Sequence, residues 1–250
     1  MPNFINVSVS NGVATVALNR PAAMNALCRE LNLELLEAIR AVSTERVLIL
    51  TGGPKVFAAG ADVAAMRDAT PLEAYQTSEI GHLVHDTLES LPIPTIAAVN
   101  GFALGGGCEL AMACDFRIAG ESASFALPEV GLGVIPGAGG AKRLIQLVGL
   151  SLAREMILLG RRLSGPEAFQ AGLCNKCVAD SDVIGEASDM AQKLCKRPAV
   201  ALGLAKRAIN ASDDSPEIEK LLFSLAFASP DQKEGMSALL EKRKPVFKHE

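Results

Sequence analysis

The chain is organised around Ala98-Val99-Asn100-Gly101-Phe102-Ala103-Leu104-Gly105-Gly106-Gly107-Cys108-Glu109-Leu110. The apolar run that enters this stretch from Thr95 reads as a buried strand, broken at Gly101. Three consecutive glycines follow, poor material for helix or strand. They suit a sharp turn, or a place where a ligand approaches main-chain N–H groups. Glu109 comes next, at the start of an apolar, Ala-rich helix whose free N–H groups and positive end face the turn. A turn prepared for negative charge beside a carboxylate suits chemistry that builds an oxyanion and moves a proton. The alternative is a tight strand-to-helix turn with a surface glutamate, and the stretch alone leaves both open.

Upstream, Asn11-Gly12 separates two β-rich runs (residues 4–10 and 13–18), a strong hairpin signal. Apolar residues recur at helical spacing from Asn25 to Val42, with Asn25 a candidate cap. Val47–Leu50 reads as a short buried strand. Thr70-Pro71-Leu72-Glu73 has the form of a capping box with Pro at the first helical position, opening a helix to about Ser90. Downstream, a short strand is expected over Cys114–Ala119. Glu129 follows in Phe125-Ala126-Leu127-Pro128-Glu129. A second glycine-rich stretch, residues 131–140, leads into a helix from about Ala141. Helices then dominate, at about 150–159, 166–171, 182–196, 199–212, 216–228 and 231–243, with Lys176–Val178 the one strand expected in this half. Ser164-Gly165-Pro166-Glu167 and Ser229-Pro230-Asp231-Gln232 both have capping-box character.

Composition narrows the function classes. The 250 residues are 49% hydrophobic and 21% charged, which guarantees a large core. A net charge of −4 argues against nucleic acid as the main partner. No apolar run reaches membrane-spanning length, so no membrane partner is expected. With no signal-peptide or transit pattern, the expected location is cytoplasmic. The six cysteines include a lone CxxC, Cys174-Asn175-Lys176-Cys177, which lacks the second pair or matching histidines of a zinc site. His82 and His85, three apart on an expected helix, have no further ligand pattern and read as ordinary surface or half-buried residues. No metal site is expected.

Nucleotide-binding patterns fail residue by residue. Gly131-Leu132-Gly133-Val134-Ile135-Pro136 lacks the last glycine of G-x-G-x-x-G, and Gly140-Ala141-Lys142-Arg143 lacks the Gly and Ser/Thr of a phosphate loop. There is no G-x-S-x-G and no H-E-x-x-H. With histidines only at 82, 85 and 249, carboxylates are the expected acid and base.

Two glycine-flanked turns (59–62 and 105–107) and two carboxylates (Glu109 and Glu129) remain. Together with Leu18-Asn19-Arg20-Pro21, Phe57-Ala58-Ala59-Gly60-Ala61-Asp62, Gly133–Gly140 and Asp231-Gln232-Lys233-Glu234-Gly235-Met236, these stretches resemble the enoyl-CoA hydratase/isomerase family, the crotonases. The likeness runs in order from about residue 5 to 248. It implies an α/β fold, a crotonase-type spiral of strand-strand-helix repeats with a helical C-terminal association region. The corresponding division is a crotonase core over 1–197 and an oligomerisation region over 198–250, with Leu202, Leu204, Ile209, Leu221, Leu222 and Leu225 as apolar stripes.

By the same resemblance, the N–H groups of Ala61 and Gly106 form an oxyanion hole for an acyl-CoA thioester. Ala22, Ala23, Met24, Ala59, Asp62, Val63 and Ala64 contact the CoA or acyl portion. Many relatives carry lysine where this chain has Ala22 and Ala64, and Lys233 and Lys242 are the candidates to replace it. Glu109 and Glu129 match the two glutamates of hydratases, Glu109 activating water and Glu129 protonating C2. The expected reaction is reversible hydration of 2-enoyl-CoA to 3-hydroxyacyl-CoA, with no cofactor beyond the CoA of the substrate, in a homotrimer or homohexamer. The rivals are a Δ3-Δ2 enoyl-CoA isomerase or specialised dehydratase, and a non-catalytic RNA-binding relative.

Overall fold

A computed structural model describes residues 3–211 and 216–250. Strands β1 (Ile5–Ser10) and β2 (Val13–Leu18) form an antiparallel hairpin closed by Asn11 and Gly12, at φ 51° and 75°. Positive φ at both central residues matches the right-handed twist of the flanking strands, which is why Asn-Gly closes it. Helix α1 (Arg29–Ala41) then leads to β3 (Val47–Thr51), parallel to β2.

From β3 onward the chain repeats one unit: a strand in a large sheet, a short strand in a second sheet, then helix. Strand β3 is followed by β4 (Val56–Ala58) and helices α2 (Val63–Met66) and α3 (Pro71–Ser90). Strand β5 (Thr95–Val99) is followed by β6 (Phe102–Leu104) and α4 (Gly106–Met112). Strand β7 (Phe116–Gly120) is followed by β8 (Ser124–Ala126) and α5 (Gly140–Leu158). Then come β9 (Leu163–Ser164), α6 (Gly165–Gln170), β10 (Lys176–Val178) and helices α7 (Val183–Cys195), α8 (Ala199–Ile209), α9 (Pro216–Ala226) and α10 (Pro230–Leu240). The large sheet has the order β1-β2-β3-β5-β7-β10 and the second β4-β6-β8-β9. Each turn of the spiral thus adds one strand to each sheet, the expected strand-strand-helix winding.

The period of two along each strand divides the core. Ala14, Val16, Leu48, Leu50, Ala97 and Val99 face the main core with α1 and α4. Val13, Val47, Ile49, Ile96, Ala98 and Ile118 face the other side, where Val183, Ala187 and Ala191 of α7 cover them. A parallel sheet covered on both faces needs near-continuous apolar strands, and β5 (Thr-Ile-Ala-Ala-Val) is buried throughout.

Several local expectations change. Asn25 does not cap α1, whose N-cap is Cys28. Asn25 is buried at φ 54°. Its amide donates to Gly52 O (2.9 Å) and Phe57 O (3.0 Å), and its Oδ1 accepts from Arg20 N (2.9 Å). The polar side chain satisfies the carbonyls of the β3–β4 connection instead of a helix end. Glu109 lies in the first turn of α4 as expected, with Gly105 as the N-cap and Gly106 and Gly107 as the first two helical residues. The chain after Gly101 pairs again as β6, and β9 is a second strand in the later half. The helix expected from about Ala141 and that over 150–159 both form, as the two arms of α5, which breaks at Gly149 (φ 76°, ψ 164°). The Thr70 and Ser164 capping boxes form; Ser229 caps α10 by accepting from Asp231 N without the reciprocal bond. Leu222 is buried, not part of an exposed stripe, while Ile209, Leu221 and Leu225 are exposed. The helix expected over 199–212 ends at Ile209, and residue 212 lies outside the described residues. No described helix is long and apolar enough to cross a membrane.

Helix α8 is locked to the core by a buried ammonium. Lys206 Nζ lies 2.8 Å from Asp115 Oδ2 and donates to Leu88 O (3.0 Å) and Ile93 O (3.1 Å). All three donors are used, and Asp115 is also bonded by Thr95 N. Removing one member of such a pair leaves the other charge uncompensated. Lys206→Met is therefore expected to lower the unfolding free energy by about 3–5 kcal/mol in urea titrations. An unchanged midpoint would show that the pair contributes nothing net.

Candidate active site

The glycine triplet is shaped by close approach. Gly105 sits at φ 50°, ψ −124°, and its N–H donates to Ala126 O at 2.9 Å. A Cβ at Gly107 would lie 2.1 Å from Ala58 O, so no side chain fits where α4 crosses β4. A Cβ at Gly106 would lie 3.6 Å from Ala61 N, which places the two turns edge to edge. Ala61 is held by a parallel bridge to Leu27, in which Leu27 N donates to Gly60 O (2.8 Å) and Asp62 N to Leu27 O (3.2 Å). In such a bridge the N–H of Ala61 itself points away from Leu27. Neither this N–H nor that of Gly106 has an acceptor among the described residues. Two neighbouring half-buried donors without partners form a seat for an oxyanion.

The carboxylates flank this seat. Glu109 is 3% exposed, and its Oε1 accepts from Ala138 N and Gly140 N, each at 2.8 Å. Burial pushes its pKa up against the pull of those two bonds. Glu129 opens the short 3-10 turn Glu129–Leu132 after β8. A Cβ on Gly105 would lie 3.0 Å from Glu129 Oε1, so this carboxyl lies against the triplet. Its Oε2 is buried without a partner. Burial, with a smaller contribution from the charge of Glu109, pushes the Glu129 pKa up to about 7. The charge of Glu109 thus opposes ionisation of Glu129.

The remaining expected residues line a lip beside the seat. Residues Pro21–Ala23 form a 3-10 turn ending at Met24, whose carbonyl accepts from Ala59 N at 3.0 Å. Asp62 caps α2 through Ala65 N and pairs with Arg20 at 2.8 Å, which holds its carboxyl below the usual range. Val63 and Ala64 are exposed on α2. The segments 22–24 and 59–64, far apart in the chain, are thus brought together. Lys233 on α10 and Lys242 just beyond it are exposed and make no hydrogen bond to either segment.

One side chain departs from its reading and another carried none. His85 is 1% exposed, not a surface or half-buried residue, and its Nδ1 lies 2.9 Å from Ala138 O. Arg143 Nη1 donates to the same oxygen at 2.9 Å. The CxxC is structural in position: Cys174 is buried, which pushes its thiol up to about 12.

A family model described as enoyl-CoA hydratase/isomerase matches residues 8–250. The chain belongs to that family. Among curated members, it is 45% identical to the crotonyl-CoA hydratase of Syntrophomonas wolfei, with 94% of each chain covered. It is 44% identical to the mitochondrial enoyl-CoA hydratase of Pongo abelii, covering 96% of this chain and 84% of that one. Among solved members, the enoyl-CoA hydratase of Bacillus anthracis superposes with a TM-score of 0.93 at 38% identity, covering 99% of this chain and all of that one. The spiral fold and the ordered motifs are those of the hydratase/isomerase family.

The raised pKa of Glu129 carries a stability cost. Its folded value of about 7 lies above the ordinary 4.5, so folding takes up a proton between these values. The native state therefore loses stability as pH rises from about 4.5 through 7. Glu129→Gln is expected to raise the thermal midpoint at pH 8 by about 2–4 °C, and by less at pH 5. An equal shift at both values would contradict the assignment.

Proposed function

We propose that this protein adds water reversibly across the double bond of 2-enoyl-CoA thioesters, giving 3-hydroxyacyl-CoA. The observation that carries the reading is the pair Glu109 and Glu129, both pushed toward the protonated form, beside two unpaired N–H donors. The thioester oxygen accepts from Ala61 N–H and Gly106 N–H. These fixed donors stabilise the negative charge that reaches this oxygen when C3 is attacked, and each is worth about 3–4 kcal/mol of barrier. Glu109 Oε1 is committed to Ala138 and Gly140, which leaves Oε2 to hold and deprotonate water. The water oxygen bonds to C3, the double-bond electrons move into the enolate, and Glu129 gives its proton to C2. The proton from water remains on the carboxyl pair, which ends with one proton as it began. In the reverse direction Glu129 is the base. The lip of Ala22, Ala23, Met24, Ala59, Asp62, Val63 and Ala64 receives the CoA portion.

The same proposal includes a cytoplasmic homotrimer or homohexamer, with residues 1–197 as catalytic core and 198–250 as the association region. The exposed Leu221, Phe223, Leu239 and Leu240 support the latter, since apolar side chains of this size favour burial. The matching names of the relatives support the substrate class.

Loss of the enoyl absorbance of crotonyl-CoA tests the reaction. Glu109→Gln and Glu129→Gln are each expected to lower kcat by about 10²–10⁴-fold while the fold is retained. A variant that kept the full rate would exclude the two-carboxylate mechanism. No turnover of crotonyl-CoA or longer 2-enoyl-CoA, with conversion of 3-enoyl-CoA instead, would establish the isomerase. Because Glu129 must be protonated to deliver its proton, kcat for hydration is expected to fall as pH rises through about 7. A rate flat from pH 6 to pH 9 would contradict its role as the acid.

A further inference from the structure

Glu109 is held by the backbone of the 138–140 segment, and that segment is itself held. Ala138 N–H donates to Glu109 Oε1 at 2.8 Å. Ala138 O, on the same residue, accepts from two buried side chains on different helices. One is Arg143 Nη1 of α5 at 2.9 Å; the other is His85 Nδ1 of α3, also at 2.9 Å. A carbonyl only accepts, so Nδ1 carries the proton of a neutral imidazole. Burial pushes His85 down to about 4, which keeps it neutral at working pH. Its Nε2 is buried with no partner. The unpaired Nε2 costs stability, and the Nδ1–H bond to Ala138 O offsets part of the cost of burying the ring.

One face of α3 is built around this contact. Ser78 Oγ donates to Gly137 O. A Cβ on Gly81 would lie 3.1 Å from Ala138 Cβ, so the helix lies close against the 137–140 segment there. His85 follows one turn on. Asp86 and Glu89 then pair with Arg143 at 2.8 and 2.6 Å, aiming its guanidinium at Ala138 O. Residues 78, 81, 85 and 89 fall on one helical face. These groups close on the Glu109 holder and leave Glu109 Oε1 two fixed donors.

We propose that His85 is a positioning residue for Glu109, acting together with Arg143 by fixing the backbone of residue 138. Two donors on the Ala138 carbonyl fix the orientation of the 138–140 backbone, and with it the aim of the Ala138 and Gly140 N–H groups at Glu109 Oε1. The carboxylate form of Glu109 gains from this, and the residue keeps Oε2 aimed at the reacting water. The charged and titratable groups around Glu109 are Glu129 from the turn after β8, His82 from α3, Arg143 from α5, and the Cys108 thiol on its own helix. His85 adds no charge to this set. The kinetic part of the inference rests on the hydratase reading above; the titration part does not.

The test compares His85→Leu, which removes the donor, with His85→Asn, whose amide N–H can replace Nδ1–H. The carboxyl of Glu109 is titrated by ¹³C NMR in the Glu129→Gln background, and kcat and KM for crotonyl-CoA are measured with Glu129 intact. His85→Leu is expected to raise the Glu109 midpoint by about half a pH unit, because the two N–H groups that favour its charged form lose alignment. It is expected to lower kcat about 3–10-fold with KM little changed, and His85→Asn should recover most of both. A purely structural role would lower thermal stability without moving the midpoint. The inference is overturned if His85→Leu leaves the Glu109 midpoint unchanged, or if the Asn variant shows the same shift as Leu. If His85→Leu does not fold, His85→Met takes its place, since an unbranched thioether adapts to the same cavity. Failure of the wild type to hydrate crotonyl-CoA would remove the proposed function and leave the titration to decide the role of His85.

Discussion

A carboxyl group inside a protein must either be neutral or be held by donors, and Glu109 is the place where this chain meets that requirement. It is 3% exposed on a short helix that follows a strand of the small sheet. An ionised carboxylate there without partners would cost far more than the few kcal/mol by which a domain is stable. The segment 138–140 supplies two N–H groups to one oxygen, and burial still raises the pKa. Much of the surrounding architecture follows. Gly140 has no side chain because a Cβ would lie 2.7 Å from Glu109 Oε1. Helix α3 lies close to the segment at Gly81, and Arg143 is buried to reach the carbonyl behind it.

The spiral makes this possible. Each turn places a β–helix junction at the same end of the small sheet, so turns from different parts of the chain meet there. Ala61 follows β4, Gly106 follows β6, and Glu129 follows β8. The three contributions to one site are thus successive repeats of one local geometry. The cost is visible in Glu129, whose buried Oε2 has no partner and whose pKa of about 7 reduces stability above neutral pH. Function is supported by leaving polar groups unpaired that a purely structural site would satisfy.

Much of this was legible in the sequence because it depends on local chemistry. Asn11-Gly12 specified a hairpin, Thr70 and Ser164 specified helix starts, and the triplet at 105–107 marked a close approach. The strand-strand-helix winding and the residues of the seat came from the ordered likeness to a family. What could not be read depends on partners distant in the chain. Asn25 looks like a helix cap, yet Gly52 and Phe57 claim its amide. His85 lies in a helix with mixed polar and apolar neighbours, and nothing nearby in sequence marks it as buried. Its partner, Ala138, is 53 residues away. The small strands β6 and β9 were missed for a similar reason: two or three residues carry no periodicity, and only the neighbouring strand defines them.

The most direct measurement is a structure of the protein with a 3-hydroxyacyl-CoA bound. The thioester oxygen is expected at about 2.7–3.1 Å from both Ala61 N and Gly106 N, with the 3-hydroxyl between the carboxyl groups of Glu109 and Glu129. A thioester oxygen bonded elsewhere, or a hydroxyl distant from either glutamate, would contradict the mechanism.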